Sequence, residues 1–241
     1  MKTRPAVIAH RGAAAEAPEN TIEAFDLSVQ LGADALELDV QRAGDGTLVV
    51  IHDPTVDRTT NASGAVADLT ASALGQLGVP ALAEVLRRYD ELEITVDVKD
   101  VSATAEVVLL IEDLGRVERT ILYVEDGTGA PAFASYAGRR ATSTAQAAWL
   151  AGRVRAAERD GTQSLPAGFP EVVHTPLAGP DGPIVSERFI LGAHRSGRSV
   201  QVWTIDDPAG MRELRSWGVD GIITNDVRRA VSLLKENDET S

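Results

Sequence analysis

Two histidines at the ends of short apolar runs are the residues of this sequence best suited to acid–base chemistry. His10 precedes Arg11, and His52 precedes Asp53, whose carboxylate is suited to orient the imidazole. An imidazole titrates near neutral pH, so one histidine can take a proton from an attacking oxygen while the other gives one to a leaving oxygen. Either histidine alone could be structural. The pair indicates a site if other functional groups accompany it.

Three carboxylates and a lysine lie on strand-like segments close to these histidines in the sequence. Glu37 and Asp39 stand in an i, i+2 relation, and so do Asp97 and Lys99. Because side chains alternate faces along a strand, each pair shares one face. Carboxylates held this close raise one another's pKa unless a cation neutralises them, and all-oxygen ligation favours Mg²⁺ or Ca²⁺. The alternative for Glu37 and Asp39 is a solvated strand edge or pairing with Arg42.

The basic residues of the same segments favour a phosphoryl group as the reacting centre. Arg11 can grip phosphate with its planar fork, and Lys99 can add a point charge. The chain contains no cysteine, which excludes disulfides and thiolate metal sites. Serine catalysis is also disfavoured, because Ser28, Ser63 and the other serines lie outside a strand–turn–helix nucleophile context.

Length and charge narrow the class of protein. The chain has 241 residues and 44% hydrophobic content, which suits one α/β barrel with a sizeable core. Its net charge of −13 disfavours nucleic acid and anionic lipid as partners, so an anionic substrate needs a locally positive pocket. The first residues lack the apolar region of a secretory signal, and no apolar run reaches transmembrane length. We therefore expect a soluble, cytoplasmic protein.

Strand-like and helix-like segments alternate from end to end. With the hairpin strand Leu48–His52 set aside, eight strands are predicted: Pro5–His10, Ala33–Val40, Glu93–Val98, Ile121–Val124, Ala141–Thr144, Val172–His174, Ser199–Ile205 and Gly221–Thr224. The predicted helices are Ile22–Leu31, Ala81–Tyr89, Ala103–Leu114, Ala145–Arg159, Glu187–His194, Ala209–Trp217 and Arg228–Leu234. This alternation favours a TIM (β/α)8 barrel, with an open doubly wound sheet as the alternative. In a barrel the functional groups at the strand ends converge on one mouth.

Domain organisation follows from the same pattern. We find no linker, so residues 1–241 are predicted to form a single domain. Residues 53–79 lack strong periodicity and are expected to form a small insertion after the second strand, lying over one end of the fold.

Taken together, these features resemble the glycerophosphodiester phosphodiesterase family. The matching segments are Ala9–Gly12, Pro18–Thr21, Glu37–Val40, His52–Pro54 running into Asp57–Thr60 and Gly64, Val202–Thr204 and Gly218–Thr224. They span nearly the whole chain in the right order, and several motifs in register are more specific than any one alone.

The resemblance implies a TIM barrel that uses a divalent cation, Mg²⁺ or Ca²⁺, to hydrolyse glycerophosphodiesters to an alcohol and glycerol 3-phosphate. By position, it implies a general acid/base pair (His10, His52), metal ligands (Glu37, Asp39, Asp97), phosphate contacts (Arg11, Lys99) and an aromatic near the glycerol side (Trp203). A core position for Trp203 is equally compatible with the sequence. Residues 53–79 match a family insertion that covers the mouth and helps to set substrate choice.

Departures from the family pattern define what the sequence leaves open. Asp97 stands where the family usually carries glutamate, so its carboxylate is one methylene shorter. Thr224 is followed by Asn225 rather than the expected aspartate, at a position we expect to be peripheral. The region 123–163 matches weakly, so the leaving alcohol is not predicted. His174 is expected to be structural.

Three alternatives remain. A related phosphodiesterase could form a cyclic phosphate, or could act on lysophospholipids, although no basic or aromatic amphipathic membrane-binding segment is evident. A non-catalytic barrel that binds phosphodiesters is the third. The oligomeric state is not predicted.

Overall fold

The computed structural model describes residues 4–125, 131–156 and 165–235. Its strands are β1 (Ala6–His10), β2 (Ala35–Arg42), β3 (Leu48–Val50), β4 (Glu93–Val98), β5 (Thr120–Tyr123), β6 (Arg139–Arg140), β7 (Val172–Pro176), β8 (Ala178–Gly179), β9 (Gly182–Pro183), β10 (Ser199–Trp203) and β11 (Gly221–Thr224).

The α-helices are α1 (Ile22–Leu31), α2 (Ala71–Gln76), α3 (Leu82–Arg88), α4 (Thr104–Asp113), α5 (Pro131–Ser135), α6 (Thr144–Ala156), α7 (Glu187–Arg195), α8 (Pro208–Ser216) and α9 (Val227–Lys235). The last three residues of the predicted helix 145–159 lie outside the described residues. Among the helices of the described ranges, none has both the length and the apolar character needed to cross a membrane.

Eight parallel strands form a nearly closed barrel. Their order is β6-β5-β4-β2-β1-β11-β10-β7, and a parallel bridge between Ala141 and Val172 joins the two end strands. The Thr142 backbone N–H donates to the Val172 carbonyl at 2.9 Å beside that bridge. The predicted (β/α)8 barrel is confirmed, and the open sheet is excluded.

Strand register brings the acidic residues together. In β2 the apolar side chains of Leu36 and Leu38 are fully buried in the main hydrophobic core, while Glu37 and Asp39 alternate with them. Parallel pairing places Glu37 opposite His10 of β1 and Asp39 opposite Asp97 of β4. Neighbouring strands therefore present their ionisable residues side by side.

The turn after β1 requires glycine at position 12. Gly12 has a φ of 86°, and a Cβ at this position would lie only 2.6 Å from the Ala24 Cβ of α1. Thr21 caps α1 by accepting a hydrogen bond from the Ala24 backbone N–H at 3.2 Å. The turn that carries Arg11 is thus packed directly against the first helix.

The predicted hairpin is confirmed, because β3 pairs antiparallel with β2. The segment 53–79 that follows contains a 3-10 turn (Val66–Asp68) and α2, which its lack of periodicity did not predict. Val56, Val66 and Leu74 of this segment pack with Val49 in a second, smaller core. The apolar residues of 53–79 are spaced to fill this small core rather than to line one helix face.

The fifth barrel strand begins earlier than predicted. The sequence indicated Ala141–Thr144, whereas the ladder includes Arg139 and Arg140, with Ala141 only as a bridge and Thr144 already in α6. The strand was predicted too late in the sequence because its first residues, Arg139 and Arg140, are charged. Their side chains find acidic partners outside the strand, since Arg139 pairs with Glu93 and Arg140 pairs with Glu171.

Candidate active site

A cavity of about 320 Å³ lies at the carboxyl ends of the barrel strands. Its lining includes all eight residues singled out from the sequence: His10, Arg11, Glu37, Asp39, His52, Asp97, Lys99 and Trp203. They are contributed by β1, β2, β4 and β10 and by the residues that follow β1, β3 and β4. The barrel therefore brings together side chains that are far apart in the sequence.

Glu37, Asp39 and Asp97 form a buried carboxylate cluster. Each offers an oxygen within 4.8 Å of the others, and their exposed fractions are 4%, 1% and 5%. Asn20 orients Asp39 by donating from Nδ2 to Oδ2 at 2.9 Å. Asp97 Oδ1 is buried without a hydrogen-bond partner among the described residues. It is therefore an acceptor open to another ligand.

Burial and charge repulsion make the cluster resist full ionisation. Burial, followed by the charges of Asp39 and Asp97, raises the pKa of Glu37 well above its ordinary value. Burial also raises the pKa of Asp97, and the charge of Asp39 adds to this effect while Lys99 opposes it. Such a cluster needs compensating positive charge at neutral pH.

Two basic residues supply part of that charge. Lys99 Nζ lies 2.6 Å from Asp97 Oδ2 and 3.2 Å from Asp39 Oδ1. Burial alone would lower the pKa of Lys99, but the two carboxylates outweigh it and raise that pKa. Arg11 Nε lies 3.0 Å from Asp39 Oδ2 as an ion pair. With three carboxylates facing two cations, the fully ionised cluster keeps an excess of negative charge.

The backbone fixes Arg11 in an uncommon conformation. Its φ of 54° lies in the left-handed region, which residues other than glycine rarely adopt. Its N–H donates to the Glu37 carbonyl at 3.0 Å and to Glu37 Oε2 at 3.1 Å.

Arg42, the alternative partner for the acidic residues, instead pairs with Asp100 and Glu106. The alternative in which Glu37 and Asp39 form ion pairs with Arg42 is therefore wrong.

His52 is held by a carboxylate, as the sequence suggested. Its Nδ1 lies 2.6 Å from Asp53 Oδ1, and Arg58 Nε donates to Asp53 Oδ2 at 2.6 Å. These hydrogen bonds, with Arg58 the larger cause and His52 the next, lower the pKa of Asp53 to about 2. Asp53 thus remains ionised and favours a proton on His52 Nδ1.

His10 is held differently, by an amide. Its Nδ1 lies 2.8 Å from Asn225 Oδ1, and its Nε2 lies 3.9 Å from Glu37 Oε2. Burial lowers the pKa of His10, although the hydrogen bond with Asn225 partly opposes this. The expectation that Asn225 is peripheral is therefore wrong. The parallel pairing of β1 with β11 places Ala9 opposite Thr224, so the residues that follow meet in space.

Part of the cavity wall is formed by residues that the sequence did not assign to the site. Tyr123, Glu125, Thr144 and His174 line this part, and Thr204 and Ile223 also line the cavity. Glu125 accepts hydrogen bonds from the Tyr123 hydroxyl and from the Thr144 backbone N–H, the latter at 3.1 Å. An i, i+2 spacing of Tyr123 and Glu125 at a strand end was the available signal, but the weak family match in this region concealed it.

His174, expected to be structural, lies within this wall. Its ring centroid is 4.4 Å from that of Tyr123 and 5.8 Å from that of Trp203. Burial lowers the pKa of His174 to about 3, so the ring is neutral at physiological pH. The expected structural role fits this neutrality, although the residue also forms part of the cavity surface.

The carboxylate cluster has the donor chemistry for a hard divalent cation. Three buried carboxylates converge, their negative charge exceeds that of the nearby cations, and Asp97 Oδ1 has no other partner among the described residues. Mg²⁺ and Ca²⁺ both prefer such oxygen ligands. The residues present therefore fit a divalent cation.

The fold and the site together define a (β/α)8-barrel hydrolase equipped for phosphate esters. Residues 10–229 match the glycerophosphoryl diester phosphodiesterase family, and the chain belongs to that family.

Individual relatives agree with this assignment. A glycerophosphodiester phosphodiesterase from Caldanaerobacter subterraneus subsp. tengcongensis is 30% identical over 256 residues, covering 98% of this chain and 99% of the relative. The crystal structure of a glycerophosphodiester phosphodiesterase from Agrobacterium tumefaciens superposes with a TM-score of 0.75 at 28% identity, covering 94% and 100% of the two chains. The chain is accordingly an enzyme of the phosphoric diester hydrolase class.

A more distant structure shares the fold. An Oleispira antarctica phosphodiesterase, 19% identical with a TM-score of 0.72 over 95% of this chain and 96% of its own, was solved with the product sn-glycerol-3-phosphate.

Proposed function

We propose that this enzyme hydrolyses small glycerophosphodiesters to an alcohol and glycerol 3-phosphate in the cavity at the barrel mouth. The observation that carries the proposal is the convergence of two histidines, three carboxylates and two cations on one cavity of about 320 Å³. That volume suits a small, polar diester rather than a long-chain lipid. The product found in the Oleispira antarctica phosphodiesterase supports the same substrate class.

In this proposal Glu37, Asp39 and Asp97 hold a divalent cation, Mg²⁺ or Ca²⁺. When bound, the cation supplies positive charge that polarises a phosphoryl oxygen and neutralises charge developing there. Arg11 and Lys99 already face the same carboxylates. They add donors for the remaining phosphoryl oxygens, Arg11 as a fork and Lys99 as a point charge.

The two histidines are proposed to divide the proton transfers between them. His52 is held through Nδ1 by the carboxylate of Asp53, and we assign it the role of the donor that protonates the leaving alcohol oxygen. His10 contacts a neutral amide and is more deeply buried, so it suits the acceptor that takes a proton from the attacking oxygen. The carboxylate partner of His52 and the amide partner of His10 thus distinguish the two proposed roles.

The rest of the molecule is proposed to shape access to this cavity. Trp203 contributes an apolar surface for the glycerol moiety, at the wall that it shares with His174. Residues 53–79 form an insertion over the mouth of a single domain that spans 1–241, and Arg58 of this insertion contacts Asp53 beside His52. The cytoplasmic location stays a prediction.

A substrate panel tests the proposal. The purified protein is incubated with glycerophosphocholine, glycerophosphoethanolamine and glycerophosphoinositol, with Mg²⁺ or Ca²⁺ and then with excess chelator, and glycerol 3-phosphate is measured enzymatically. We expect metal-dependent release from at least one diester and a loss of release in Glu37→Gln. Full activity in excess chelator would reject the cation, and no release from any diester would reject the substrate class.

The same panel distinguishes direct hydrolysis from attack by the substrate's own hydroxyl. A cyclic phosphate would appear as a separate product before glycerol 3-phosphate, whereas attack by water gives glycerol 3-phosphate from the start. We expect direct hydrolysis, with no cyclic product at early times.

A further inference from the structure

The partner of His10 is itself held in one orientation by a second loop. Asn225 Nδ2 donates to Asp206 Oδ2 at 2.7 Å, and the Asn225 backbone N–H donates to Asp206 Oδ1 at 2.8 Å. The Thr224 hydroxyl also donates to Asp206 Oδ1, at 2.8 Å. Asp206 therefore accepts three hydrogen bonds from two consecutive residues, Thr224 at the end of β11 and Asn225 directly after it.

This arrangement removes the rotational ambiguity of the Asn225 amide. Burial would raise the pKa of Asp206, but the hydrogen bonds from Asn225 and Thr224 outweigh it and lower that pKa, so the group is a carboxylate at neutral pH. An ionised carboxylate only accepts hydrogen bonds. The NH₂ group of Asn225 must therefore face Asp206, which leaves Asn225 Oδ1 facing His10.

The orientation of the amide in turn decides where neutral His10 carries its proton. Asn225 Oδ1 only accepts, so the His10 Nδ1 that lies 2.8 Å away must be the donor. The lone pair of neutral His10 then lies on Nε2, the nitrogen on the side of Glu37. The opposite tautomer would present an N–H at this position and could not accept a proton there.

We propose that Asp206 is a positioning residue for catalysis, which acts through Asn225 to fix His10 as the Nδ1–H tautomer with Nε2 free to accept a proton. The inference rests on the proposed function, since it concerns how His10 is prepared for its step. Asp206 does not line the cavity and touches His10 only through Asn225. Its effect is expected on kcat rather than on KM, because it prepares a proton acceptor and does not contact substrate.

The hydrogen bonds around Asp206 predict a specific change of the His10 tautomer in Asp206→Asn. The oxygen of the new amide is retained by the Thr224 hydroxyl and the Asn225 backbone N–H, so its NH₂ group faces the Asn225 side chain. Asn225 must then turn its oxygen toward residue 206 and its NH₂ toward His10. His10 Nδ1 becomes an acceptor, and neutral His10 switches to the Nε2–H tautomer.

Nitrogen NMR of protein labelled with ¹⁵N-histidine tests this directly, because Nδ1–H and Nε2–H imidazoles give distinct ring ¹⁵N shifts. Spectra are recorded with Mg²⁺ at mildly alkaline pH, and the His10 signals are assigned by their loss in His10→Gln. We expect Nδ1–H in the wild type, Nε2–H in Asp206→Asn, and no change in Asp207→Asn. Asp207 is the matched control, since it caps α8 through the Gly210 N–H at 2.7 Å.

A double variant that exchanges the residue types at positions 206 and 225 separates positioning from simple structural support. In the double variant Asp206→Asn/Asn225→Asp, residue 206 donates to a carboxylate at 225, whose other oxygen again accepts from His10 Nδ1. We expect Asp206→Asn to lower kcat by roughly 10²–10⁴-fold with KM nearly unchanged, the usual worth of a positioned proton carrier. The double variant should regain the Nδ1–H tautomer and at least about tenfold in kcat.

Two results would overturn the inference even if the enzyme hydrolyses glycerophosphodiesters normally. One is an Nε2–H tautomer of His10 in the wild type, and the other is an unchanged Nδ1–H tautomer in Asp206→Asn. The expected tautomers in a protein that hydrolyses no glycerophosphodiester would uphold the positioning device and reject the proposed function. A double variant that regains neither the tautomer nor kcat would assign Asp206 a purely structural role.

Discussion

Arg58 donates hydrogen bonds to both carboxylate oxygens of Glu19, at 2.8 Å from Nη1 and at 2.7 Å from Nη2, although the two residues are 39 positions apart. Glu19 also accepts from Arg11 Nη1 at 3.1 Å. The same Arg58 guanidinium donates to Asp53, which contacts His52. Arg58 does not line the cavity, but it contacts the partners of two residues that do. Through Glu19 it supports Arg11, a proposed phosphate contact, and through Asp53 it supports His52, a proposed catalytic histidine.

Arg58→Ala should therefore lower kcat/KM by about 10–100-fold, the usual cost of losing a partner of directly acting groups. Arg58→Lys should recover only part of this, because an ammonium cannot reproduce the bidentate contacts. Steady-state kinetics on the preferred diester measure both effects. Arg88→Ala is the matched control, since Arg88 forms a similar bidentate pair with Asp26 away from the cavity. Wild-type kinetics in Arg58→Ala would refute the bracing role.

A second prediction concerns stability of the metal-free protein. Burial and mutual repulsion raise the pKa of Glu37 and of Asp97 above their unfolded values. In the pH range between the unfolded and the folded pKa values, the folded state binds more protons than the unfolded state. These two groups therefore make the metal-free protein lose stability as pH rises from about 4, where free carboxyls titrate.

A bound divalent cation should offset this loss by binding the folded state and displacing protons. The increase in Tm on adding Mg²⁺ or Ca²⁺ should be larger at neutral pH than at mildly acidic pH. Glu37→Gln should raise the Tm of the metal-free protein at neutral pH and abolish most of the metal-dependent increase. Glu84→Gln, on the exposed face of α3, should change neither. A metal-independent Tm in the wild type would contradict the proposed site.

The histidine pair gives a third prediction. His10→Ala and His52→Ala should each reduce kcat by roughly 10²–10⁴-fold. The double variant should lose less than the product of the two factors, because the two groups act as a unit. His194→Ala is the control, since His194 pairs with Asp220 at 2.7 Å and does not line the cavity. Near-normal kcat in either single variant would remove that histidine from acid–base catalysis.

A nitrophenyl diester separates the two roles. Nitrophenol leaves without protonation, so this substrate should partly rescue His52→Ala, which lacks the proposed acid, and should not rescue His10→Ala. Rescue of His10→Ala alone would reverse the assignment.

Asp97 provides a fourth prediction. Its carboxylate is retracted by about 1.5 Å relative to a glutamate, whereas direct ligation tolerates only about 0.2 Å. Because the strand is hydrogen-bonded on both sides, we expect a water to complete the coordination, which favours Mg²⁺ over Ca²⁺. Asp97→Glu should displace this water and shift the ratio of kcat/KM toward Ca²⁺. An unchanged ratio would leave Asp97 as a partner of Lys99 only.

The sequence was sufficient where local rules decide the structure. Strand alternation predicted that Glu37 and Asp39 share a face, and the barrel predicted that His10 and Asp97 join them at one mouth; all four line the cavity. These inferences needed only the period of a strand and the convergence of parallel strand ends. No long-range pairing had to be known.

The features of the site that the sequence did not predict depend on contacts between distant segments. The His10–Asn225 hydrogen bond joins residues 215 positions apart, and it exists because the chain closes β11 against β1. The bond from Arg58 to Glu19 similarly requires the path of the insertion. Propensity cannot reveal such pairs, since each residue also suits a solvated turn. The misplaced fifth strand has a related cause, because its arginines find acidic partners only in the folded chain.

We propose that this cavity cleaves glycerophosphodiesters to glycerol 3-phosphate with the aid of a divalent cation and His10. Phosphorus NMR of glycerophosphocholine, the wild-type protein and Mg²⁺ or Ca²⁺ in one tube tests it most directly. We predict that the diester resonance is replaced by that of glycerol 3-phosphate, that excess chelator stops the conversion, and that His10→Ala leaves the diester intact on the same timescale. Persistence of the diester with wild-type protein and either ion, or undiminished conversion in the presence of chelator, would contradict the account.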